Sequence, residues 1–92
     1  MAREKRKYEV TIIREMWLDG RLIGAPHGTL ETYAVSPEKA VNNARYRLGI
    51  SSQYESGSGY GEDHFWSWVV RDDGQVVLDE RSDGCREWME QR

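Results

Sequence analysis

Residues 35–49 read Val-Ser-Pro-Glu-Lys-Ala-Val-Asn-Asn-Ala-Arg-Tyr-Arg-Leu-Gly, and the fold turns on how this stretch is read. Ser36 is suited to cap the free N–H groups of a first helical turn. Pro37 fits the first helical position, where no donor is needed, and Glu38 complements the positive end of the helix dipole. Gly49 ends the helix just past its last apolar residue. Between these signals Ala40, Val41, Ala44 and Leu48 fall on one stripe, whereas Lys39, Asn42, Asn43, Arg45 and Tyr46 lie outside it. One face packs and the rest meets water.

The segments on either side of the helix read as strands. Tyr8, Val10 and Ile12 alternate with Glu9 and Thr11, and the phase then shifts so that Ile13 and Trp17 face away from Met16. A long strand over residues 8–18 therefore has apolar side chains on both faces. Asp19-Gly20 is a two-residue hairpin turn with Arg21-Leu22-Ile23 as its return, which sets Trp17 across from Leu22. The stretch Gly24-Ala25-Pro26-His27-Gly28 breaks the ladder, and residues 29–35 resume it before the helix. Downstream, residues 64–71 form a second strand, with Phe65, Ser67 and Val69 on one face and His64, Trp66, Trp68 and Val70 on the other. Asp73-Gly74 turns that strand and pairs Val70 with Val77, Val69 with Leu78, Trp68 with Asp79 and Trp66 with Arg81. Cys85, Trp88 and Met89 recur at helical spacing, consistent with a last helical turn that docks Trp88 on the sheet. The expected fold is α+β, ββαββ in order, with a mainly antiparallel sheet and one helix across one face.

Ninety-two residues make one domain with one small core, placed at residues 8–92 behind a basic arm at residues 1–7. Residues 51–63, rich in Ser, Gly and Tyr, read as a long loop of the composition found in adaptable binding loops. No apolar run approaches the ~20 residues that span a bilayer, and the charged N-terminus has no apolar signal region behind it, so a soluble cytoplasmic protein is expected. Cys85 is the one cysteine, which rules out an internal disulfide. Charge is divided along the chain: residues 1–48 hold nine Lys or Arg against six Asp or Glu, a net +3, and residues 49–92 hold four against ten, a net −6. Whether that asymmetry survives folding depends on whether the halves interleave.

The residues that carry chemistry are scattered. His27, His64 and Cys85 show no metal-ligand spacing, and the alternating Gly57, Gly59 and Gly61 precede a strand rather than a helix. No metal, cofactor or catalytic residue is expected, and Cys85 reads as a packing residue. The aromatic residues are the positive signal. If Phe65, Val69 and Leu78 lie beneath the helix, then Trp66, Trp68 and Trp17 line an uncovered face and mark a contact surface, joined by Tyr54 and Tyr60 of the loop. The alternative is that the terminal Trp88 segment covers that face. Nucleic acid is a second reading, through Arg3, Lys5, Arg6 and Lys7 of the arm and Lys39, Arg45 and Arg47 of the helix, opposed by the acidic hairpin around Trp66 and Trp68.

The hairpin of residues 8–35, the helix opened by Ser36-Pro37-Glu38-Lys39-Ala40 and the hairpin of residues 64–80 together resemble the small inhibitor proteins encoded by bacteriophages, including anti-CRISPR proteins. The resemblance rests on size, element order and the capped helix, and carries no functional residue over; the Ser/Gly/Tyr loop departs from it. It implies blocking of a host protein complex by surface contact, without catalysis or cofactor. The expected function is thus a small non-enzymatic protein-binding module. The alternatives are a nucleic-acid contact protein and a homodimer built on the aromatic face. One test belongs to the helix itself: Ala44→Phe is expected to overpack the helix–sheet contact at a cost of roughly 1–3 kcal/mol, and an unchanged melting temperature would contradict the packing stripe.

Overall fold

The computed structural model describes residues 4–56 and 61–91. Its longest element, β1 (Arg6–Leu18), has apolar residues in both phases of its alternation and accordingly lies at the centre of the sheet with both faces covered. The chain continues through β2 (Arg21–Gly24), β3 (His27–Ala34), α1 (Pro37–Leu48), β4 (Tyr54–Ser56), β5 (Glu62–Asp72), β6 (Gln75–Asp79) and α2 (Asp83–Glu90). The class is α+β with an antiparallel sheet, as expected, but the order is βββαβββα with two helices.

Each departure from the expected order has a local cause. The Pro26 carbonyl accepts from Arg14 N at 2.9 Å, so the chain stays against β1 through its break and one expected strand return becomes two, β2 and β3. Residues 54–56, expected to be loop, pair with residues 63–65 of β5 as the short β4. The arm is shorter than expected, since Arg6 and Lys7 belong to β1, opposite Ala34 and Tyr33. Ser82, across the end of β6, caps α2 by accepting from Cys85 N at 3.1 Å.

The sheet is built on one ladder. β1 and β5 run antiparallel from Glu9↔Arg71 to Leu18↔Glu62; β2 and β3 line the far side of β1, and β4 and β6 the far side of β5. Both hairpin turns form as expected. Asp19 and Gly20 have φ of 51° and 76°, Asp73 and Gly74 of 52° and 83°, and two consecutive left-handed residues match the right-handed strand twist. Trp17 lies across from Leu22. In the second hairpin the expected register fails by one residue. A bulge sets Val70 opposite Leu78 and Val69 opposite Asp79, and Trp68 O accepts from Glu80 N at 2.9 Å. Trp66 N donates to Gln53 O rather than facing Arg81.

The helix α1 has the caps read from its sequence: Ser36 Oγ accepts from Lys39 N at 3.2 Å and Gly49 is left-handed at φ 71°. Its small residues Ala40, Val41 and Ala44 pack on Tyr8, Val10, Ile12, Ala34, Trp68 and Val70. Trp68 is therefore core, 5% exposed, and the face holding Phe65, Ser67 and Val69 is the opposite one. That second face is not open either. α2 covers it, with Cys85 against Ile13 and Val69, and with Met89, Leu22 and Ala25 around them.

The two covers differ in strength. α1 buries Ala40, Val41 and Ala44 and α2 buries Cys85 alone, at about 0.8 kcal/mol per buried carbon, and eight residues are too few for a helix that stands alone. α2 is held by fit. A Cβ on Gly84 would sit 2.9 Å from Cη2 of Trp17, so the indole lies directly against the first turn of α2. Gly84→Ala, which favours a helix by propensity, is expected instead to lift α2 from Trp17 and lower stability by roughly 1–3 kcal/mol. A stabilised variant in a urea melt would contradict that contact.

Candidate functional site

Element lengths leave part of the sheet bare. The thirteen residues of β1 extend about 43 Å, whereas the twelve of α1 reach about 18 Å, so the helix cannot shield the whole face it packs on. Cover ends at Leu48, the last residue of α1, which is 53% exposed and not part of the buried stripe that the sequence suggested. Beyond it opens a cleft of about 530 Å³, walled by Ile12, Pro26, Leu30 and Leu48, with Trp66 and Arg14 from the paired strands. A volume of this size lies within the ordinary range for binding cavities.

Arg14 and Trp66 are opposite one another in the β1–β5 ladder, and the guanidinium carbon stands 5.5 Å from the indole centroid. Arg14 Nε and Nη2 lie 3.2 and 2.7 Å from His64 Nδ1. A guanidinium has no acceptor, so Nδ1 must accept and the His64 proton sits on Nε2, 3.2 Å from Glu62 Oε2. The chain of contacts from Trp66 through Arg14 and His64 to Glu62 fixes the polar wall of the cleft. None of it was visible in the sequence, where these four residues are only alternating positions of two strands.

On the opposite face the central feature is a buried acid. Glu15 is 2% exposed, and its carboxylate accepts from Ser82 Oγ at 2.7 Å, Ser82 N at 3.3 Å and Trp17 Nε1 at 3.1 Å. Burial pushes the Glu15 carboxyl up, but the hydrogen bonds outweigh it and hold the group below the ordinary glutamate range. Glu15 thus ties β1 to the cap of α2. Cys85, beneath that helix, has its thiol pushed up to about 11, first by burial and then by the neighbouring Glu15 charge, which leaves it unreactive at neutral pH.

The aromatic residues singled out from the sequence are thus divided. Trp68, expected on the uncovered face, is buried under α1, and the half-buried Trp17 packs against the first turn of α2. Trp66 lines the cleft beside Leu48. Tyr54 on β4 lies 5.1 Å from Phe65 on the α2 side of the sheet and donates to Asp63 Oδ1 at 2.7 Å. Tyr60 and Arg3 lie outside the described residues. Of the basic residues, Arg6 pairs with Asp72 at 2.9 Å and Lys7 with Glu31 at 3.0 Å, while Arg45 stands 5.3 Å over Trp68. Arg47 donates to Glu31 O at 3.0 Å; Lys5 and Lys39 are exposed. Among the described residues no three His, Cys, Asp or Glu side chains gather as metal ligands, and no helix is long and apolar enough to cross a membrane.

Comparison with protein-family models, with curated proteins and with solved structures found no match. The buried acid generates a test of its own. A carboxyl whose folded value is depressed stabilises the fold while ionised, and that contribution is lost as pH falls through the folded value. Thermal melts between about pH 7 and about pH 3 should therefore lose less stability in Glu15→Gln than in the parent, and the variant should be weaker at pH 7 by about 1–3 kcal/mol. Parallel pH profiles for the two proteins would contradict the role of Glu15.

Proposed function

We propose that the protein is a non-enzymatic protein-binding module that receives an apolar side chain of its partner in the cleft beside Trp66. The observation that carries the reading is the cleft itself: aliphatic walls, an aromatic side and one cation held in place, left open because α1 is shorter than the strands below it. Interface centres favour this composition, since a Trp beside an apolar pocket supplies area at little entropic cost and Arg adds direction. Glu15 is engaged in the cap of α2 and Cys85 lies beneath that helix. Inhibition of a host complex by surface contact, the role implied by the resemblance to phage-encoded inhibitors, is one use of such a cleft. It needs no catalysis.

The test places a benzophenone amino acid at position 27, on the cleft rim, in cells, with Leu48→Glu and Trp66→Ala introduced separately. A covalent adduct to another protein is expected, lost in both variants; an adduct to a second copy of the chain would assign the cleft to a homodimer instead. Leu48 is half exposed, so Leu48→Glu should leave melting unchanged while weakening binding of the captured partner by about 2 kcal/mol or more. Adducts that persist in both variants would contradict the proposal.

A further inference from the structure

The sheet order separates the strands of the two halves of the sequence. β2 and β3 attach to β1, β4 and β6 attach to β5, and the β1–β5 ladder is the pairing that joins the two halves among the described residues. The strands of the first half therefore lie on the β1 side of that ladder and those of the second half on the β5 side, while α1 reaches across onto β5 and α2 onto β1 and β2. The acidic hairpin that argued against nucleic acid belongs to the far side. On the β1 side the seam between β3 and α1 faces solvent.

That seam is a groove of about 330 Å³ lined by Thr32, Tyr33, Asn43, Tyr46 and Arg47. Tyr46 is 90% exposed, so its ring is left in water beside the groove, whereas Tyr33 alternates with the buried Thr32 and Ala34 and meets the groove through its carbonyl. Asn43 Nδ2 donates to Tyr33 O at 3.3 Å and Arg47 Nη1 to Glu31 O at 3.0 Å, which fixes the helix wall against the strand. Arg47 thus meets a neutral carbonyl, and no carboxylate pairs with it among the described residues. Lys39 lies four residues before Asn43 and eight before Arg47, on the same side of α1, and is exposed. A helical stripe of cation, amide, aromatic and cation runs along the β3 edge.

We propose that this groove binds single-stranded nucleic acid, with an unpaired base stacking on Tyr46 and with Arg47 and Lys39 contacting the flanking phosphates. Each component has its reason. Base stacking on an aromatic ring is tolerant of sequence because every base has a π-face, and cations along a groove follow the backbone. The lining of Thr, Asn, Tyr and Arg contains no aliphatic residue, unlike the cleft at Trp66, so it suits a polar, planar ligand rather than the apolar anchor of a protein partner. The two sites are separate, and this one does not depend on the cleft having a partner.

The test is fluorescence anisotropy with a labelled oligothymidylate of about 12 nucleotides and the matching duplex, at about 50 and about 200 mM salt. The expected result is binding that favours the single strand and falls with salt at a slope of about −1.4, for two phosphate contacts. Tyr46→Ala should weaken it at least about fivefold with unchanged melting, because that side chain is almost wholly in water. Arg47→Gln should reduce the slope by about 0.7, and Val76→Thr, on the opposite sheet edge, should change nothing. Absence of binding at low salt, or affinity indifferent to Tyr46→Ala, overturns the proposal. So does equal affinity for duplex, or displacement by an oligoglutamate peptide as effective as by oligonucleotide, which would assign the groove to acidic proteins.

Discussion

The β1–β5 ladder is the constraint from which the other features follow. Its ten residue pairs set Ile12 across from Trp68 and Ile13 across from Ser67, and because side chains alternate with a period of two, that register assigns every residue of both strands to one cover or the other. A slip of one residue would move Trp68 from beneath Ala44 to the α2 side, where Val69 and Ser67 now leave room for Cys85 and Glu15. Both helices are thus fitted to one register. Small residues on α1 admit the large Trp68, and the lone Gly84 on α2 admits the large Trp17.

Long strands beneath short helices explain where binding surface remains. α1 ends over the middle of the sheet and leaves the Trp66 cleft, and its outer side meets the β3 edge in the tyrosine-lined groove. The β3 edge is itself guarded, since Asn43 and Arg47 occupy the carbonyls of Tyr33 and Glu31 that an added strand would use. On the other face α2 contributes one fully buried side chain, so its attachment leans on the hydrogen bonds between Glu15, Ser82 and Trp17. A buried carboxylate is an expensive latch, tolerable because each of its contacts is a donor.

Local chemistry was the legible part of the sequence. Ser36, Pro37 and Gly49 bounded the helix, Asp19-Gly20 and Asp73-Gly74 set both hairpin turns, and Trp17 met Leu22 where the turn placed it. What the sequence did not carry was long-range. Nothing in Val76-Val77-Leu78 marks the bulge that shifts the second hairpin, because all three residues suit a strand. Tyr54–Ser56 looks like loop beside its Ser and Gly neighbours and becomes a strand only by pairing with β5. The sorting of Trp17, Trp66 and Trp68 into α2 support, cleft and core depends on which helix lies over which phase of the alternation, and apolar residues in both phases conceal that. Glu15 reads as a surface acid until Ser82, sixty-seven residues later, folds over it.

Cross-strand nuclear Overhauser effects in a uniformly labelled sample test the central register most directly. The account predicts contacts between the β1 and β5 backbones at Val10 and Val70 and at Ile12 and Trp68, with the Trp68 indole close to the Val41 and Ala44 methyl groups. Contacts from Val69 to the Ala44 methyl, with the Trp68 indole free of α1, would contradict it.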